Sequence, residues 1–302
     1  MTAIKNILVC LDLTGIDPHL IQYAAFTARL FDAEKIFFLH VIQAYDLPDK
    51  PSRRFPDVEA SLDQMIREEL NRQIRHHFRN PHATEIVVKV EKEDAADGII
   101  QCVAEHDVDL TLIGQKFGEN RLGRYGHKVT ANADCDILFL PEHTESKVDK
   151  ALCALDFSQS AQTAFERALH LAQKHGTELI GYFIHDTAAA YFPASTNRSS
   201  GRRQSQAQKK YEAFIEKYNV DASTFPCRFE TGDQLTSEAE KIYSTAESED
   251  ADLIIVGAAG DTATVTSLLG NITETLRRMQ KLIPVMIVKA RGQKSLLDVF
   301  KS

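Results

Sequence analysis

The chain has 302 residues, 43% of them apolar and 26% charged, with a formal net charge of −8. That length suits two domains, each able to bury its own core. The acidic balance argues against general nucleic-acid binding and against docking on anionic membranes, no apolar run approaches the ~18 residues that a membrane span needs, and Met1-Thr2-Ala3-Ile4-Lys5 carries no signal-peptide pattern.

Asn6–Leu11 is an apolar run and predicts the first strand. Leu20, Tyr23, Ala24, Thr27, Leu30 and Phe31 then recur at three- and four-residue spacing, the mark of a one-faced helix. Further strands are predicted at Lys35–Val41, Glu85–Val90, Leu110–Ile113 and Ile137–Leu140, and helices at Asp57–Arg79 and Ala95–Glu105. Pro141–Val148 is the joint between two predicted domains, residues 1–145 and 146–302. The second half repeats the plan, with strands near Ala151–Leu155, Glu178–Ile184, Thr224–Phe229, Leu253–Val256 and Val285–Val288. Its helices fall near Ser160–His175, Gln204–Lys217, Gln234–Glu247 and Ile272–Lys281. Ala194–Arg203 is polar and basic and reads as a mobile loop; Leu296–Phe300 reads as a short apolar tail docked on the body. Strands alternating with helices predict an α/β protein of two tandem doubly wound domains, each a parallel sheet with helices on both faces. Burial on both faces explains strands that are apolar runs instead of alternating patterns.

The two halves say nearly the same thing, roughly 144 residues apart. Leu11-Asp12-Leu13-Thr14 follows Ile7-Leu8-Val9-Cys10, and Leu155-Asp156-Phe157-Ser158 follows Ala151-Leu152-Cys153-Ala154. Asp109-Leu110-Thr111-Leu112-Ile113-Gly114 is echoed by Asp252-Leu253-Ile254-Ile255-Val256-Gly257. The kept order of elements marks a duplicated domain. Five cysteines form no CxxC pair and no zinc spacing, so they read as packing residues of a protein in the reducing cytoplasm.

The copies differ in their glycines. Gly257-Ala258-Ala259-Gly260 ends a predicted strand, and after nine residues Gly270-Asn271 opens a predicted helix. Glycine lets backbone N–H groups approach a phosphate, and a helix N-terminus supplies unpaired donors with a favourable dipole. Local features alone leave a second reading open: a tight turn and an Asn N-cap with no ligand.

The pattern G-x2-G-x9-G, preceded by Asp-Leu-Ile-Ile-Val, resembles the ATP-binding loop of the universal stress protein family. The strand ending in Ala154-Leu155-Asp156-Phe157-Ser158 and the run Leu39-His40-Val41-Ile42 are similar to that family's first and second strands. The resemblance covers both halves. It implies a five-stranded parallel sheet of order 3-2-1-4-5 in each, and ATP, with or without magnesium, as the cofactor. It further implies that Asp156, at the end of Ala154 and Leu155, lies beside the adenine with Ile184 packed against it. Val256 and Gly257 would line the ribose and phosphates, Gly260 would hold the loop open, and Gly270, Asn271 and Ile272 would present backbone N–H groups. Asn271 departs from the pattern, since most ATP-binding members carry Ser or Thr there. In the first half Phe117 stands where the second glycine belongs and Arg124 follows Gly123, so that half is expected not to bind ATP. There Asp12 reads equally as a cap for the next helix.

Other motifs are absent or bland. Gly118-x4-Gly123-Arg124 lacks the lysine and hydroxyl of a P-loop, and no GxGxxG follows a strand. His76-His77 reads as solvated, and His40 and His185 as hydrogen-bonded strand-end residues. Three hydrogen bonds to a charged phosphate at about 1.5–3 kcal/mol each, plus adenine burial, set against at least about 4 kcal/mol of association cost, bring micromolar ATP binding within reach. The leading expectation is a cytoplasmic stress-response protein that binds an adenine nucleotide in its C-terminal domain and acts by regulation, through a protein partner that the sequence does not identify. The alternatives are a ligand-free interaction module and a slow magnesium-dependent ATPase. Because single-domain members of the resembled family often pair, the fused halves are expected to form an intramolecular pseudo-dimer, with homodimerisation left open.

Overall fold

The computed structural model describes residues 3–42, 56–79, 84–116, 121–185, 196–221, 223–231, 236–258 and 283–289. The chain divides into two compact units between Lys147 and Val148. The first runs β1 (Asn6–Leu11), α1 (Asp17–Phe31), β2 (Lys35–Ile42), α2 (Pro56–His77), β3 (Glu85–Lys92), α3 (Ala95–Glu105), β4 (Leu110–Gln115), α4 (Arg121–Asn132) and β5 (Asp136–Pro141). The second runs β6 (Lys150–Ala154), α5 (Gln159–His175), β7 (Glu178–His185), α6 (Thr196–Glu216), β8 (Cys227–Thr231), α7 (Glu238–Ser248), β9 (Leu253–Gly257) and β10 (Val285–Val288).

Strand order in the first unit is β3-β2-β1-β4-β5, and in the second β8-β7-β6-β9-β10, so each unit has the 3-2-1-4-5 order when its own strands are counted. The pairings are parallel. The strands carry the core: Ile7, Leu8, Val9, Leu110 and Leu112 are fully buried, as are Ala151, Leu152, Cys153, Ile254 and Ile255, and β5 and β10 are buried at every position. Helices cover both faces. Gly114 of β4 faces Ile16 and Leu20 at the start of α1, whereas Val41 of β2, on the opposite face, meets Gly98 of α3.

Several expected boundaries move for identifiable reasons. The first unit contains α4, which sequence reading missed: Gly123 and Gly126 lie inside it and lower its intrinsic propensity. The mobile loop expected over Ala194–Arg203 is corrected, because α6 already begins at Thr196. The helix expected from Gln234 starts at Glu238, where Ser237 and Glu240 close a reciprocal capping box. The strand expected from Thr224 starts at Cys227, because Thr224 N bonds Asp221 O at 3.0 Å in a turn. The helix expected at Ile272–Lys281 and the tail Leu296–Phe300 lie outside the described residues. All five cysteines are free thiols; Cys102, Cys135 and Cys153 are buried, while Cys10 and Cys227 are half-buried. Burial pushes the Cys102 thiol up to about 11, Cys227 up to about 12, and Cys10 and Cys153 well up, which suits packing and not nucleophilic work.

The repeated aspartate that precedes β4 and β9 has a structural job. Asp109 Oδ2 accepts the N–H groups of Lys5 at 2.7 Å and Asn6 at 2.8 Å. Asp252 Oδ2 likewise accepts those of Asp149 at 3.1 Å and Lys150 at 3.2 Å. Each carboxylate is buried and ties the entrance of the central strand to its neighbour. Asp109→Ala and Asp252→Ala are each expected to destabilise their own unit by about 2–4 kcal/mol, since two charge-assisted bonds are lost. Urea denaturation checks this; a change below about 0.5 kcal/mol would contradict it.

Candidate functional site

In an open parallel sheet, a crevice lies beyond the C-terminal strand ends where successive connections leave in opposite directions. Here that point falls between β1 and β4 in one unit and between β6 and β9 in the other. Strand register decides which side chains line it. Cys153 pairs with Ile255 and Ala154 with Tyr182, while Ile184 pairs with Glu230. Paired residues share a face, so Ala154, Tyr182, Ile184, Glu230 and Val256 look toward α7. Leu155 and Gly257 look the other way, toward α5.

Just past β6 the chain reverses. Leu155 N donates to Tyr182 O at 2.8 Å and prolongs the ladder by one residue. Phe157 takes a left-handed φ of 61°, a conformation that costs a non-glycine residue about 1–2 kcal/mol. Asp156 Oδ1 steadies the turn by accepting Ser158 N at 2.8 Å, and Ser158 Oγ caps α5 through Ala161 N at 3.2 Å. Asp156 itself is exposed. Gly257 has a packing cause: a Cβ there would lie 2.5 Å from the carbonyl carbon of Ser160 and 2.7 Å from Ala161 N. Only a glycine lets β9 end against the backbone of the α5 first turn. The structure thus brings Ala154, Leu155, Asp156, Ile184, Val256 and Gly257 to one sheet edge, with Leu155 buried. Gly260, Gly270, Asn271 and Ile272 lie outside the described residues.

The same edge of the first unit is occupied from within. Lys116, directly after β4, places Nζ 2.5 Å from Asp12 Oδ2 and is only 18% exposed. Thr14 Oγ1 donates to Asp12 Oδ1, also at 2.5 Å. Partial burial pushes the Asp12 carboxyl up, but the bonds from Lys116 and Thr14 outweigh it and hold the group below its usual range. Asp12 is not a helix cap, contrary to one reading of the sequence. The N-cap of α1 is Ile16, with no side-chain bond, and Asp17 inside the helix reaches back to Leu13 N at 2.8 Å and Asp12 N at 3.2 Å. Sequence reasoning missed both Lys116 and Asp17. Lys116 had a signal, since it stands opposite Ala259 when the two loops are aligned; Asp17, opposite Ala161, had none that distinguishes it from a surface acid.

His40 Nδ1 lies 3.0 Å from Leu11 O, the strand-end hydrogen bond expected of it. His76 is exposed, while His77 is half-buried with Nδ1 3.4 Å from Gln22 Nε2. Among the described residues no group of three His, Cys, Asp or Glu side chains is placed to hold a metal ion, and no helix is long and apolar enough to cross a membrane.

Two outcomes follow from these contacts. Gly257→Ala is expected to cost about 1–3 kcal/mol or more, because backbone must move. Gly114→Ala, whose Cβ meets only the ends of Ile16 and Leu20 at 2.9 and 3.0 Å, is expected to cost clearly less. Comparative denaturation of the two variants decides it, and equal losses would contradict the packing account. Asp17 carries a pH dependence. Burial pushes its carboxyl up from 3.8 to about 7; the N–H groups of Asp12 and Leu13 pull the other way, and the charge of Asp12 adds to the rise. Between those values the folded chain holds a proton that the unfolded chain has released. The contribution is therefore full below about pH 4 and lost as pH rises toward 7. Melting temperatures from pH 4 to 8 are expected to show this decline in the wild type and a flatter profile in Asp17→Asn; parallel profiles would contradict it.

Comparison with known proteins agrees with this architecture. Residues 3–141 and 147–289 each match the Universal stress protein family. No curated protein sequence matches the chain. Among solved structures, a universal stress protein from Archaeoglobus fulgidus is similar over 96% of this chain and 97% of its own, at 17% identity and a TM-score of 0.69. A putative universal stress protein from Pseudomonas aeruginosa is similar over 95% and 94%, at 17% identity and a TM-score of 0.61. A functionally unknown protein from Pseudomonas aeruginosa is similar over 95% and 93%, at 16% identity and a TM-score of 0.62. These likenesses show the fold, and the two family matches, covering nearly the whole length in the same two halves, show that the chain belongs to the universal stress protein family.

Proposed function

We propose that the C-terminal half, residues 146–302, binds ATP or a related adenine nucleotide and that the N-terminal half, residues 1–145, does not. The observation that carries this reading is the difference between two equivalent aspartates. Asp12 is exposed too, but it is neutralised by Lys116 of its own unit at 2.5 Å. Asp156 is exposed at the sheet edge and spends one oxygen on Ser158 N. A carboxylate left open to solvent beside the half-buried Ile184 can accept from the exocyclic amine of a base, while Val256 supplies an apolar wall. Gly260, Gly270, Asn271 and Ile272 complete the proposed site as its phosphate-binding segment, where backbone N–H groups at a helix start would meet the anion. The nucleotide acts as a ligand that shifts the affinity for a protein partner, without catalysis. A cytoplasmic stress-response role and an intramolecular pseudo-dimer of the two halves belong to the same proposal.

Calorimetric titration with ATP, in the presence and absence of magnesium, tests it. Wild-type protein is expected to bind with micromolar affinity, weakened at least about tenfold, or about 1.4 kcal/mol, in Asp156→Ala and abolished in Gly270→Val. Absence of binding to the wild type would sink the proposal and favour a ligand-free interaction module.

A further inference from the structure

The turn after β6 touches both sides of the sheet. Asp156 stands at the edge where the base is proposed to lie, and the next residue, Phe157, carries its ring to the face covered by α5 and α6. That ring lies 4.7 Å, centroid to centroid, from Phe183 of β7 and 5.5 Å from Phe214 of α6. Phe214 is 4% exposed and meets Phe165 of α5 edge-on at 5.1 Å. Tyr211 and Ile215 of α6 are buried as well. One aromatic ring therefore joins the proposed ligand edge to the packed side of α6.

The two halves hold this turn differently. Leu13 and Phe157 occupy equivalent positions and share a left-handed φ of 61°. In the first unit Asp17 accepts the N–H groups of Leu13 and Asp12. The equivalent residue in the second unit is Ala161, which has no side-chain acceptor to take their place. There the turn leans on Ser158 N–H, which donates to Asp156 Oδ1 at 2.8 Å, and on the packing of the Phe157 ring. The acceptor in that bond is the same carboxylate that is proposed to take the amine of the base. A ligand that draws the carboxylate outward weakens the bond, and a strained left-handed residue loses one of its restraints.

We propose that the Asp156–Phe157 turn is a relay, in which a nucleotide at Asp156 releases Ser158 N–H, shifts the Phe157 ring and loosens the packing of α6. This rests on the adenine-nucleotide reading and deepens it by naming the element that responds. The state-dependent contact is the Asp156–Ser158 bond, kept without ligand and weakened with it. The first half, with its turn pinned by Asp17 and an aliphatic Leu13, lacks the relay. Coupling of this kind is reciprocal, so a change that loosens α6 from its own side must tighten nucleotide binding. The simpler role, a hydrophobic core shared by α5, α6 and β7, uses the same rings but predicts neither effect.

Hydrogen exchange of the full chain with and without saturating ATP, with calorimetric titration of the same preparation, separates the two. In the wild type, exchange across residues 211–216 is expected to speed up at least about fivefold, the low end of usual coupling between sites. Phe157→Leu installs the residue that the first half carries at the same φ of 61°, so the turn is expected to fold. That variant should bind ATP at least as tightly as the wild type while α6 no longer responds. Phe214→Leu, which weakens the packing from the α6 side, should bind ATP more tightly. ATP bound with exchange at 211–216 unchanged or slowed, a response kept in Phe157→Leu, or equal or weaker binding by a folded Phe214→Leu overturns the inference and leaves the nucleotide reading standing. A wild type that binds no ATP overturns both.

Discussion

The fold of each unit hangs on a carboxylate buried at the start of its central strand pair. Asp109 and Asp252 each accept two successive N–H groups, from the residue before the neighbouring strand and from the first residue of that strand. These bonds fix which residue of β1 stands beside which residue of β4, and likewise for β6 and β9. In a parallel sheet buried on both faces a one-residue slip would turn every side chain to the wrong side. Register in turn decides which residues arrive last at the C-terminal edge. Asp12 and Asp156 stand there because the strands behind them are pinned at the other end.

From that shared frame the halves diverge by small substitutions with large local effects. In one, a lysine after β4 turns inward and pairs with the edge aspartate, and the helix is held to the turn by Asp17 from inside. In the other, alanines follow the strand, the aspartate faces solvent, and Ser158 caps the helix. Burying a cation against a carboxylate costs desolvation and is sustained only by a short pair. The second unit has a charge pair elsewhere, Lys241 of α7 with Glu230 of β8, two strands out from β6.

Much of this was legible in the residues. Apolar runs of five or six residues alternating with one-faced helices give away a doubly wound parallel sheet, and Asn6–Leu11, Ala95–Glu105 and Val285–Val288 fall where the patterns place them. The echo of Asp109 in Asp252 announced the duplication but not its reason, because two backbone bonds across more than a hundred residues leave no local trace. The helix α4 was hidden by its glycines, and the start of α6 by a polar, basic composition that reads as loop. Gly257 looked like part of a phosphate loop, yet its approach to the α5 backbone accounts for it without a ligand. Lys116 was passed over although it stands opposite Ala259 in the aligned loops. A lysine reads as solvated until tertiary structure supplies a carboxylate within reach.

The claim that organises these observations is that one half of the chain is open to a nucleotide and the other is closed by its own lysine. The number of nucleotides bound per chain tests it most directly. Equilibrium dialysis with saturating ATP, at a known concentration of folded protein, should give one per chain. Two per chain, or none, would contradict the account.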